Sequence, residues 1–205
     1  MLQNLSGWLI TPTLYSNYYW FLHSDNKTDE DFLKVLRREP VDQTDAMKAG
    51  VAFENKIRAV CEGKDTVEEG TELEEFVNIL RGGFWQEKMS KEFDGNLLYG
   101  IADVIKYDTI YDVKFTTETF DKNRYTIGKY DWSIQHLVYM YCSGMKRMKY
   151  LICDGAEFAV EEHVWTAESL VTLQSRIWEM LQFILGNQKF KEAFEANWRY
   201  KNVAE

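Results

Sequence analysis

Cysteine, proline and histidine are all scarce in this chain: its 205 residues include three cysteines, two prolines and three histidines. Cys61, Cys142 and Cys153 are odd in number, lie in separate apolar segments and show no CxxC spacing. Those features exclude a disulfide framework, a structural zinc site and an iron-sulfur cluster. Few prolines and glycines beside 15% aromatic residues leave little scope for long structureless regions. No run of about 18 apolar residues occurs, and Met1 to Ile10 has neither a basic stretch nor a continuous apolar one. The expectation is a cytoplasmic protein with no membrane partner. Positive charge is also short, with Lys+Arg 24 against Asp+Glu 33 and a formal net charge of -9. That balance excludes coating nucleic acid by charge alone and still permits a local basic surface.

No repeat, low-complexity tract or linker divides the chain, so residues 1–205 read as one domain. Helical patterns cover Thr13 to Leu22, Asp29 to Arg38, Thr44 to about Glu62 and Glu68 to Leu80. The period then changes to that of strands over Phe84 to Phe93, Leu97 to Tyr107 and Ile110 to Phe115, with Asp94-Gly95 and Asp108-Thr109 as turns. A helix over Asp131 to Ser143, strands near Met148 to Cys153 and Glu157 to Trp165, and a helical C-terminal part follow. There Leu170, Leu173, Ile177, Leu181 and Ile184 form a core stripe. The order predicts an α/β (α+β) domain, a small mixed central sheet with a three-strand antiparallel meander, flanked by helices.

Two polar anomalies interrupt the apolar patterns. Glu54 falls on the helical stripe of Met47, Gly50, Val51, Ile57 and Cys61, where a carboxylate must be paired, protonated or bound to a cation; a slightly rotated stripe would instead leave it in water. Asp103 stands in the strand row Tyr99, Ile101, Ile105 and Tyr107. A two-residue turn at Asp108-Thr109 pairs Ile105 with Asp112 and Asp103 with Lys114. Asp103 and Asp112 are then diagonal neighbours about 7 to 8 Å apart, a span two carboxylates bridge through one hard divalent cation. Lys114 beside that cation suits orientation or deprotonation of water and stabilisation of charge on phosphorus. A plain Asp103–Lys114 ion pair is the competing reading. His23, His136 and His163 show no mutual spacing that suggests a site.

Taken in order, Gly50-Val51-Ala52-Phe53-Glu54, Gly100-Ile101-Ala102-Asp103, Asp112-Val113-Lys114 and Gln135-His136-Leu137-Val138-Tyr139 resemble the PD-(D/E)XK nuclease superfamily, in its RecB-type and phage-type exonuclease branch. Thr11-Pro12-Thr13-Leu14, ahead of Tyr18 and Tyr19, is similar to that branch's opening helix. The resemblance spans about residues 11 to 143. It implies a restriction-endonuclease-like fold with Glu54, Asp103, Asp112 and the Val113 carbonyl as metal ligands and Lys114 as the catalytic lysine. Gln135 and Tyr139 would sit beside the site and contact DNA or Lys114. Mg²⁺ is the implied cofactor, with Mn²⁺ as a substitute. Many RecB-type members carry histidine where Glu54 stands, and several hold an iron-sulfur cluster on one cysteine in the opening helix and three near the C-terminus, where this chain has none.

Lys122 and Arg124, with Tyr125, Lys129 and Tyr130, follow the Asp-x-Lys strand and are placed to guide a DNA strand; Glu118 and Asp121 dilute their charge, and an ordinary surface loop fits equally. The sequence thus points to a metal-dependent deoxyribonuclease, an exonuclease of phage or recombination type. A restriction or structure-specific endonuclease, or a DNA-binding module that has lost catalysis, are the alternatives. The absence of a Walker-type loop assigns any helicase motor, like any recombinase or annealing partner, to another chain.

Overall fold

A computed structural model describes residues 7–117 and 128–200. Along the chain it forms β1 (Leu9–Ile10), α1 (Pro12–His23), α2 (Asp29–Leu36), α3 (Asp45–Cys61), α4 (Glu72–Leu80), β2 (Phe84–Phe93), β3 (Asn96–Lys106) and β4 (Thr109–Phe115). Then come α5 (Gln135–Ser143), β5 (Arg147–Cys153), β6 (Phe158–Val164), α6 (Ala167–Gly186) and α7 (Gln188–Asn197). Threonines start most of these helices: Thr11, Thr28, Thr44, Thr71 and Thr166 each accept a first-turn N–H, satisfying donors that have no intrahelical partner. No helix among the described residues is long and apolar enough to cross a membrane.

The six strands make one mixed sheet ordered β1-β3-β4-β5-β6, with β2 on the other edge of β3. β2 and β4 are antiparallel to β3, β5 is parallel to β4, and β6 is antiparallel to β5. β1 lies parallel to the start of β3, opposite Leu97 and Leu98. One apolar layer buries Leu98, Ala102, Ile110 and Tyr150 under α1, α5, α6 and α7. A second buries Val104, Leu151 and Cys153 under Phe53, Ile57 and Val60 of α3 and Phe76, Val77 and Leu80 of α4.

Several expectations are corrected. The β3–β4 turn is Tyr107-Asp108 rather than Asp108-Thr109, because Tyr107 takes a left-handed φ of 55° and Thr109 already pairs with Lys106. Ile105 therefore faces Ile110, two residues out of the expected register, and Asp103 falls across from Asp112 instead of Lys114. The stripe of α3 is also rotated: Met47 and Val51 are 54% and 48% exposed, whereas Phe53, Ile57 and Val60 are buried. Leu170 is exposed at the first turn of α6, while Leu173, Ile177, Leu181 and Ile184 enter the core. Finally, α5 starts at Gln135 because two successive turns occupy 128–133, closed by Asp131 N–H to the Gly128 carbonyl (3.1 Å) and Ser133 N–H to the Tyr130 carbonyl (2.9 Å).

β3 changes sides in mid-strand. Ala102 packs in the first layer and Val104 in the second, although residues two apart on a regular strand share a face. Between them Asp103 lies across from Gln86, which has a φ of 57° and interrupts the β2–β3 pairing between Trp85↔Val104 and Glu87↔Ala102. On the other edge of β3, the ladder to β4 ends at Val104↔Tyr111 and the ladder to β1 at Leu98. Side chains partner backbone groups on both strands of the gap: Tyr139 Oη donates to the Ile101 carbonyl of β3 at 2.7 Å, and Asp103 Oδ2 accepts from Val113 N–H of β4 at 2.8 Å.

Gly100 makes that substitution possible, because a Cβ there would overlap the Tyr139 ring. Gly100→Ala is expected to destabilise the fold by about 1 to 3 kcal/mol, the usual range for overpacking. In a Tyr139→Ala background the same change should cost distinctly less, and a double-mutant cycle of denaturant midpoints measures the difference.

Candidate functional site

The gap in the sheet collects the polar residues. Asp112 projects from β4 on the same side as Ile110 and is 2% exposed. Its Oδ1 accepts from the Gln135 amide at 2.5 Å, and its Oδ2 lies 2.6 Å from Lys114 Nζ. Lys114 also donates to Gln135 Oε1 at 3.3 Å, and Gln135 donates to Tyr139 Oη at 3.2 Å. One turn of α5 thus holds both Gln135 and Tyr139 against the strands, as side chains four apart on a helix can be held. The Lys114 side chain is 30% exposed, and its ammonium lies 5.7 and 6.0 Å from the Tyr150 and Tyr130 ring centroids, rings that stack on each other at 4.4 Å. The expected Asp103–Lys114 pair is not formed, since the two-residue shift in register gives Lys114 to Asp112 and Asp103 to the β4 backbone.

Glu54 reaches the same region from α3. It is half-buried and accepts from the Gln86 amide at 2.5 Å. An open cleft of about 710 Å³ runs past it, between Met47, Gly50 and Val51 of α3 and Val113, Lys114 and Phe115 of β4. Nothing lies within 4 Å of where a Gly50 Cβ would stand. Lys122 and Arg124 fall outside the described residues.

The electrostatics record the crowding. Burial raises the Asp103 carboxyl to about 8, and the Asp112 and Glu54 charges push the same way. Burial followed by Asp112 also raises Glu54. Burial alone would lower Lys114, but Asp112 and Asp103 outweigh it and keep the ammonium charged. Three acidic groups therefore face a single ammonium. Asp112 Oδ2, although buried against Lys114, receives no well-aligned hydrogen bond among the described residues. That donor set, all hard oxygen, fits a divalent cation such as Mg²⁺. The three carboxylates do not close into one tight shell: among the described residues, only Asp131, Glu161 and His163 bring three ligand-type atoms within 4.8 Å of one another.

That second group escapes sequence reading because Asp131, in the 128–133 turns, is about 30 residues from Glu161 and His163 on β6. His163 Nε2 lies 2.8 Å from Glu161 Oε1, which also accepts from Tyr130 N–H at 3.1 Å, and Asp131 approaches His163 Nδ1 at 3.9 Å. His163 stacks on His136 at 4.0 Å, so two histidines without telling spacing in sequence are neighbours in space. Glu161 and His163 thereby anchor the turns that carry Tyr130 to Lys114. Gln86, the partner of Glu54, was likewise missed, and no residue-type pattern marks it.

No protein-family model and no curated protein matches this sequence. Solved structures do resemble it. An alkaline exonuclease from Laribacter hongkongensis, LHK-Exo, superimposes with a TM-score of 0.53 at 11% identity, over 91% of this chain and 90% of that one. LHK-Exo in complex with dAMP gives 0.54 at 11% identity, over 94% and 92%. A Eubacterium rectale protein described as a candidate exonuclease gives 0.51 at 14% identity, over 98% and 87%. The chain has the fold of these exonuclease structures.

The raised Asp103 has a signed consequence for stability. A carboxyl whose folded pKa exceeds its unfolded value near 3.8 stabilises the fold fully below that value, loses the contribution as pH rises, and has lost it above about 8. In EDTA, Asp103→Asn should therefore gain stability over the parent between about pH 4 and pH 8. Thermal melts of both proteins across that range check it; a constant difference would refute the raised carboxyl.

Proposed function

We propose that this chain is a divalent-metal-dependent deoxyribonuclease of the PD-(D/E)XK type, hydrolysing DNA phosphodiester bonds as an exonuclease of phage or recombination type. The observation that carries the reading is the joining of Asp112, Lys114, Gln135 and Tyr139 in one hydrogen-bonded group, where the β3–β4 ladder opens beside Asp103 and Glu54. The exonuclease fold of the neighbours supports it, and LHK-Exo with dAMP is a neighbour that binds a deoxynucleotide.

In this reading Glu54, Asp103, Asp112 and the Val113 carbonyl would hold Mg²⁺, or Mn²⁺ in its place. The bound cation would supply Lewis-acid activation at the scissile phosphate and lower the pKa of water. The chain's own residues then account for positioning and charge. Lys114, kept charged by Asp112 and Asp103, donates hydrogen bonds to phosphoryl oxygens and stabilises the negative charge that grows as water attacks phosphorus and the ester oxygen leaves. Gln135 holds the Asp112–Lys114 pair in place by bonding to both members. Tyr139 fixes the β3 backbone beside Asp103 through the Ile101 carbonyl. Lys122, Arg124 and the exposed Lys129 would supply local positive charge on a chain of net charge -9, and a separate helicase, recombinase or annealing chain would deliver DNA.

Linear and covalently closed circular DNA, incubated in parallel with Mg²⁺, Mn²⁺ or EDTA, test the reading. Degradation of linear DNA alone, abolished by EDTA, is the expected result. Cutting of the circle makes the protein an endonuclease, and no cutting with retained binding makes it an inactive module.

Two variants assign the roles. Lys114→Ala should lower single-turnover cleavage roughly 10² to 10⁴-fold, about 3 to 5 kcal/mol of barrier, while calorimetric Mg²⁺ or Mn²⁺ binding survives. Asp112→Ala should abolish metal binding. A folded, less stable Lys114→Ala protein with unchanged cleavage would return the lysine to a purely structural ion pair.

A further inference from the structure

A pile of aromatic rings stands at the surface beside the site and is used by nothing described so far. Tyr19 of α1 is its middle ring, stacked at 4.4 Å and 20° on Trp132 and at 4.1 Å and 15° on His23. Trp20 meets both Tyr19 and Trp132 edge-on, at 5.6 and 5.3 Å. Tyr19 and Trp132 lean on the core, whereas Trp20 is 47% exposed and His23 is exposed. The pile is held from both ends. His23 Nδ1 lies 2.8 Å from the Tyr19 carbonyl one turn back, which turns its ring onto Tyr19. Trp132 sits within the 128–133 turns, whose exit is fixed by Arg176 donating to the Ser133 carbonyl at 3.0 Å.

Fixed, near-parallel rings at stacking distance, ending in an exposed member, are a surface onto which one more flat ring can be added. Stacked pairs occur in the core as well, as between Phe21 and Phe32; what sets this pile apart is that its members Trp20 and His23 are exposed. The position is equally informative. The same short segment sends Tyr130 to Lys114 and Gln135 onto Asp112, with Trp132 between them on Tyr19. Trp132 is two residues from Tyr130, whose ring centroid lies 6.0 Å from Lys114 Nζ, so the pile adjoins the segment that lines the site.

Building on the nuclease reading, we propose that the Trp132–Tyr19–His23 pile, with Trp20 at its edge, is a stacking platform for the bases of single-stranded DNA. Stacking is sequence-tolerant because every base has a π-face, and it does not depend on positive charge. A platform of this kind suits an acidic chain, which gains little from backbone attraction.

The test uses the intact chain in EDTA, so that binding is read without cleavage. Fluorescence anisotropy compares a labelled oligodeoxythymidine roughly 12 nucleotides long with an abasic strand of equal length and phosphate count. The parent should bind the base-bearing strand about tenfold more tightly. Trp20→Ala/His23→Ala alters only exposed side chains and should lose most of that preference, leaving affinity for the abasic strand unchanged. Trp20→Phe/His23→Phe should retain it. Equal affinity of the parent for the two strands, or an undiminished preference in the alanine variant, overturns the platform. The two readings fail separately: base preference without metal-dependent cleavage removes the nuclease and leaves the platform, and cleavage without base preference does the reverse.

Discussion

The arrangement depends on an unfinished β-ladder. Backbone N–H and carbonyl groups in a sheet interior must find partners, yet β3 and β4 stop pairing at Val104↔Tyr111. The Asp103 carboxylate and the Tyr139 hydroxyl take over at Val113 N–H and the Ile101 carbonyl. Each of these side chains holds the sheet together and stands at the site. The half-buried Asp103 serves as the acceptor for the β4 backbone, and Tyr139 brings α5, and with it Gln135, against Asp112. Gly100 belongs to the same constraint, since only a residue without Cβ lets the tyrosine ring approach.

The opening stores unfavourable terms that the surrounding core must outweigh. Gln86 holds a left-handed φ across from Asp103, a conformation that costs of order 1 to 3 kcal/mol at a non-glycine residue. Burial and the neighbouring carboxylates raise the proton affinity of Asp103 and Glu54, which the Val113 N–H, the Gln86 amide and Lys114 offset only in part. Strain of this kind persists where the rest of the fold over-determines the geometry. Here α3 and α4 bury one face of the sheet, α1, α5, α6 and α7 the other, and the defect lies where β3 passes between the two layers.

What the sequence makes legible follows the same physics. The strand over Phe84–Phe93 was read to the residue, and β3, β4 and the helices to within a few positions, because period and turn residues are local signals. Aspartate in an apolar row and the Asp-x-Lys spacing drew attention to Asp103, Asp112 and Lys114, because a charge among apolar neighbours is a local anomaly as well. Register was misread by two residues because it hangs on one tyrosine adopting a positive φ, which favours no particular neighbour. The face of α3 was misread because Met47 and Val51, apolar residues that line an open cleft, look in sequence like core residues. Gln86 and the Glu161–His163 clasp were missed for a different reason: each acts through a partner about 30 residues away, and nothing in residue type announces the contact.

The 128–135 segment shows how an apparently irregular stretch can carry the most organisation. A helix over Asp131–Ser143, as the pattern suggested, would have turned Trp132 and Gln135 to positions dictated by a 100° step. Two tight turns instead free each side chain to take its own direction: Tyr130 onto Tyr150 beside Lys114, Trp132 onto Tyr19, Gln135 onto Asp112. Holding such a path costs backbone entropy that no helix ladder returns. The compensation comes from Glu161 at Tyr130 N–H, Ser133 Oγ at Gln135 N–H and Arg176 at the Ser133 carbonyl. Charged or hydroxyl groups from β6, the turn itself and α6 thus do what a helix would do through its own backbone. The polar site, the second acidic group and the ring pile are in this sense three outlets of one anchored segment, and displacing any of its anchors would disturb all three together.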